Sequence, residues 1–141
     1  MSAFDWLQSH PIAYPALEAA HIFGIAMLVG SLLLFELRVL GFGRALPPAP
    51  LARLALPLTL AGFGLAAASG GLMFASQALE LIANRAFVLK MGLLMLAGIN
   101  AALFHARGGL ARLDGTARAQ AVLSMLVWLA VIICGRWIAY V

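Results

Sequence analysis

No charged side chain occurs between Arg53 and Glu80. A bilayer is crossed by about 20 apolar residues in a helix, and only a helix satisfies its own backbone in lipid within one segment. That run therefore dictates a membrane-embedded helix, and three more stretches share its character. The predicted helices cover roughly 16–40, 51–79, 86–106 and 119–140. Gly41-Phe42-Gly43 with Pro47-Pro48-Ala49-Pro50, the short Glu80–Arg85 connection, and Arg107-Gly108-Gly109 separate them. The expected fold class is all-α: an integral membrane four-helix bundle, one transmembrane domain over 1–141. Composition agrees, with 65% hydrophobic and 10% charged residues against roughly 25% charged in soluble domains.

The net charge of +4 does not point to nucleic acid, because the arginines sit at segment ends and in loops and form no basic stripe. Arg38, Arg44, Arg53, Arg107, Arg112 and Arg118 surround the loops after the first and third spans. The positive-inside rule then places those loops in the cytoplasm and both termini outside it. Trp6 and Tyr14, among the prolines of residues 1–15, read as headgroup-level anchors. The first span is expected to stay as a membrane helix, since Asp5 and Glu18 and the lack of an early Lys or Arg do not suit a cleavable signal. Cys134 is the single cysteine, so no disulfide framework, zinc site or Cys-x-x-Cys-His haem attachment exists.

Ionisable groups inside such spans are costly and mark candidate sites. Glu18 and His21 lie three apart at the start of the first span, on one helical face. Lys90 enters at the matching depth in the third span, and Arg136 near the end of the fourth. Ser69-Gly70-Gly71 brings side-chain-free backbone to the same level. An imidazole for iron, glycine for a flat ring and two cations for propionates form a candidate b-type haem site. The competing reading is structural: Glu18 paired with Lys90 or Arg136 to fix helix register, and His21 as a helix-to-helix contact.

His105 lies at the opposite end of the third span. At about 1.5 Å rise per residue, its height differs from that of His21 by roughly 20 Å. It is expected either to cap helix ends together with Glu36, or to ligate a haem there or across a subunit boundary. Asn100 is expected to hydrogen-bond between helices. Gly62, Ala66 and Gly70 form a small-residue row that packs within the subunit or drives homo-oligomerisation. His10, in the lead-in, is discounted as a ligand.

The runs Tyr14-Pro-Ala-Leu-Glu18-Ala-Ala-His21, Glu36-Leu-Arg38-Val-Leu-Gly41, Asn84-Arg-Ala-Phe-Val-Leu-Lys90, Asn100-Ala-Ala-Leu-Phe-His105 and Gly135-Arg136-Trp-Ile-Ala-Tyr140 resemble a family of small four-helix bacterial inner-membrane proteins. That family is similar in layout to small membrane-bound b-type cytochromes. The resemblance implies that Glu18, His21, Lys90, His105 and Arg136 match family motifs, and that the chain sits in a bacterial inner membrane. The expected function is electron transfer by non-covalent haem b between a quinone pool and an extracytoplasmic redox partner such as a cytochrome. His21 is the expected axial ligand, with Glu18 orienting its second nitrogen. Membrane lipids and a second copy of the chain are the other expected partners. A small proton-coupled transporter built on Glu18, or a structural subunit of a larger complex, are the alternatives.

Overall fold

Helices in lipid associate by close backbone approach and side-chain hydrogen bonds, because lipid is as apolar as their own surfaces. The arrangement of this chain follows from where its small residues allow that approach. The structure, a computed structural model, describes residues 3–141. Its elements are α1 (Trp6–Ser9), α2 (Ala13–Val39), α3 (Pro48–Ser76), α4 (Ala78–Ile82), α5 (Arg85–Ala106), α6 (Gly109–Arg112) and α7 (Gly115–Trp137), with a closing 3₁₀ turn at Ile138–Tyr140. The four long helices are apolar enough to span a bilayer. The protein is an all-α, multi-pass membrane protein, and no strand occurs among the described residues.

Two antiparallel pairs build the bundle. α2 packs along α3, α5 along α7, and α2 touches α7 to join them. The α2–α3 contact is the tightest. A Cβ placed on Gly24 would lie 2.7 Å from the Ala66 amide nitrogen and 2.8 Å from the Gly62 carbonyl oxygen. One on Gly62 would lie 2.5 Å from the Leu28 nitrogen. The row of small residues on α3 is thus used inside the protein, against α2. Below it Ser31 Oγ and Thr59 Oγ1 lie 2.7 Å apart across the same seam, each hydroxyl also reaching a carbonyl of its own helix. Further on, Phe35, Val39, Ala52, Ala55, Phe104, Ala117 and Ala121 close one end of the bundle, with Phe35 and Phe104 edge to face at 6.0 Å.

On the other pair, Asn100 Nδ2 donates to the Gln120 carbonyl at 2.9 Å, which meets the expectation of an interhelical bond. Ala97, Val127 and Val131 pack next to it. Toward the opposite end, Asn84 caps α5 by accepting from the Phe87 amide at 3.2 Å and donates to the Ile138 carbonyl at 2.8 Å. One side chain therefore starts a helix and ties down the last turn of the chain.

Helix limits differ from the sequence prediction at proline and cap positions. α2 begins at Ala13, with Pro15 in its first turn, and α3 begins at Pro48. First-turn amides have no intrahelical partner, so proline costs little there. His10, discounted as a ligand, has a structural role: its Nδ1 accepts from the Ile12 and Ala13 amides at 3.2 and 2.9 Å and caps α2. α3 stops at Ser76, three residues before the predicted limit. Gln77 leaves helical geometry there and donates to the Tyr14 hydroxyl at 2.5 Å. α7 starts at Gly115, four residues early, because Asp114 caps it by accepting from the Ala117 amide at 2.9 Å. The Arg107 guanidinium grips the same carboxylate with two bonds of 2.8 and 3.1 Å, closing the α5–α7 connection around Gly108 at φ +71°.

Substituting Gly24 by Ala is expected to lower detergent-state stability by about 1–3 kcal/mol, the usual cost of overpacking. Gly64→Ala, whose Cβ meets nothing within 4 Å, serves as the control and should leave the thermal unfolding temperature unchanged or slightly raised. The bidentate bond from Arg107, helped by the Ala117 amide, holds the Asp114 carboxyl well below the usual carboxylate range. A group depressed in the folded state stabilises fully above its unfolded pKa of about 4 and loses that contribution as pH falls further. The unfolding temperature of wild type relative to Asp114→Asn should therefore be flat from pH 7 to 5 and fall below pH 4.

Candidate functional site

His21 lies on the α2 face that meets α3, half-buried, at the end of the bundle shared with Tyr14 and Gln77. Its Nδ1 is 2.8 Å from the Ala66 carbonyl oxygen. A carbonyl only accepts, so Nδ1 carries the proton and donates, and in the neutral ring the lone pair belongs to Nε2. Ser69 Oγ is 3.4 Å from the same nitrogen while donating to the Leu65 carbonyl at 2.7 Å. Gly70 makes this contact possible: a Cβ there would stand 3.1 Å from His21 Cε1. The bare backbone expected to receive a flat ligand is occupied by the imidazole of His21 itself.

The orienting partner of His21 is thus a backbone carbonyl and not Glu18. Glu18 is exposed on the outer surface of α2, near Tyr14. Arg136 also turns outward: its guanidinium donates to the Tyr140 hydroxyl at 3.1 Å and stacks over that ring at 5.2 Å from the centroid. Of the groups expected to gather around His21, Lys90 is the one brought inward. Its ammonium lies over Gly135 of α7, 3.6 Å from where a Cβ would sit, beside buried Cys134 and within electrostatic reach of the imidazole.

The other half of the bundle holds a second polar set that the sequence reading did not assemble. All four long helices splay around a cavity of about 390 Å³. Glu36, only 4% exposed, lines it, with the Ser124 hydroxyl as its hydrogen-bond partner. Asn100, Gln120 and His105 line it as well. Glu36 and His105 thus share a cavity, but His105 is exposed at its margin and stacks edge-on against Phe104 at 5.1 Å. Helix capping by the pair, as expected from sequence, is not what buries Glu36. A recoverable signal did exist: Gln120, Ser124 and Trp128 recur every four residues on α7, marking one face of an otherwise apolar helix.

His21 and His105 belong to opposite halves, as the depth estimate required. Among the described residues, no group of three or more His, Cys, Asp or Glu side chains is placed to hold a metal ion. The chemistry on offer is a single backbone-oriented imidazole with a nearby ammonium at one end and a carboxyl with carboxamides at the other. No family model, curated protein or solved structure matches this chain.

Proposed function

We propose that the protein is a membrane-embedded b-type haem protein in which His21 would bind the iron, passing electrons between a membrane quinol pool and an extracytoplasmic redox partner. The observation that carries the reading is the 2.8 Å bond from His21 Nδ1 to the Ala66 carbonyl. Haem-ligating histidines need a fixed tautomer with the other nitrogen free to bind metal, and an oriented N–H bond to a carbonyl supplies both the orientation and added ligand basicity. The donor set fits one axial imidazole and one cation. When bound, haem b supplies a one-electron couple inside the bilayer.

The chain's own residues do the rest. Ala66 holds the imidazole in place, Gly70 gives it a seat without a side-chain clash, and Lys90 offsets the negative charge of a propionate. Glu18, Arg136 and His105 have no part in this ligation; Arg136 serves instead at the membrane surface with Tyr140. A site reached through lipid suits a lipid-soluble reductant, which is why a quinol is the donor proposed. The arginine-rich loops face the cytoplasm of a bacterial inner membrane, so the His21 half opens to the extracytoplasmic side.

Protein purified with ample haem should show a Soret band and sharp α and β bands after dithionite reduction. His21→Ala should abolish them and His105→Ala should retain them. A colourless haem-replete wild type, or equal loss in both variants, would overturn the assignment. Orientation is tested separately in a Cys134→Ala background. On intact cells, a membrane-impermeant maleimide should label Gln8→Cys and spare Ala45→Cys; the reverse pattern would invert the topology.

A further inference from the structure

The cavity in the His105 half is independent of the His21 site and has its own chemistry. At about 390 Å³ it falls within the range of roughly 300–1,000 Å³ that small-molecule sites occupy. Its one acidic side chain, Glu36, is 4% exposed, and among the described residues only the Ser124 hydroxyl offsets its burial. Among the described residues, no lysine or arginine lines the cavity. A carboxylate buried without a counter-ion is costly, and a cation entering the cavity would supply what the protein withholds.

Gln120 points the same way. Its Oε1 is buried and has no hydrogen-bond partner among the described residues, while the Gln120 backbone carbonyl is already taken by Asn100. Unpartnered buried acceptors are rare and call for a donor. The walls add Phe35, Phe63, Phe104 and Trp128, whose π faces attract cations once water is excluded. A smaller cavity of about 230 Å³ between α2 and α7 shares Leu32, Glu36 and Trp128 with the first and is otherwise apolar. The carboxyl therefore stands where the two spaces meet, open to a ligand that arrives dissolved in lipid.

We propose that this cavity binds a lipophilic organic cation with an aromatic body and at least one N–H donor, the cation pairing with Glu36 and an N–H donating to Gln120 Oε1. The same features reject other classes. An anion finds no lysine or arginine among the described lining residues, and a molecule bearing only acceptors leaves Gln120 Oε1 unsatisfied.

Ethidium is a suitable probe, being a planar aromatic cation with amino donors. Its fluorescence anisotropy is titrated against wild type in non-ionic detergent, with empty micelles as baseline and uncharged phenanthridine as competitor. Wild type should bind ethidium and phenanthridine should compete poorly. Glu36→Gln should weaken binding about tenfold or more and Gln120→Leu about three- to tenfold, as expected for a charged and a neutral hydrogen bond. His21→Ala should bind as wild type does, which separates this site from the haem site. Thermal unfolding confirms that each variant is folded; if Glu36→Gln does not fold, Gln120→Leu and the phenanthridine competition decide. Absence of ethidium binding to folded wild type, unchanged affinity in folded Glu36→Gln or Gln120→Leu, or phenanthridine binding as tight as ethidium overturns the proposal.

Discussion

The backbone contact between α2 and α3 at Gly24 and Gly62 sets the position of every other group in the bundle. With no side chain on either glycine, the two helices approach until a Cβ would meet backbone atoms at 2.5–2.8 Å. That distance brings the Ala66 carbonyl within reach of an imidazole one turn before Gly24. It also aligns Ser31 with Thr59 one turn beyond Leu28. In lipid such contacts replace the hydrophobic drive that assembles soluble bundles.

The α5–α7 pair is built differently, with Asn84 and Asn100 as polar ties and Ala97 as the small contact residue. The pairs meet mainly through α2 and α7, and this leaves α3 and α5 facing each other across open space. Phe74 and Phe87 stack at 5.5 Å near the His21 end, so the separation of α3 and α5 falls in the His105 half. The cavity is thus a consequence of tight packing within pairs and looser packing between them.

The two halves are opposite in charge. The His21 half turns inward an imidazole and an ammonium; the His105 half turns inward a carboxyl. Groups of the other sign are kept outside: Glu18 faces outward at one end, and Arg107 is held by Asp114 at the other. A single buried charge sign at each end favours ligands of opposite sign and avoids neutralisation within the protein. This is the physical basis for assigning the two ends different partners.

The number, length and order of the spans were legible in the amino-acid sequence, because the length of an apolar run is a property of the chain in one dimension. So was the stop at Gly108, whose chemistry is local; the cap at Asp114 was not read, and the start of α7 was placed four residues late. Which polar residues meet was not legible. α2 and α3 are apolar almost all round, so no polar face announces which side turns inward. Glu18 and His21, three apart on one helix, were expected to act together; a difference of under a quarter turn puts one in the α3 interface and the other at the surface. Glu36 looked like a helix-end charge beside Arg38, yet Arg38 donates to the Leu46 carbonyl in the loop while Glu36 faces the cavity. Sequence by itself determined that four helices cross the membrane. Only the tertiary structure decided their rotation and register, because those are fixed by close contacts such as Gly24 on Gly62, which lie far apart in the chain.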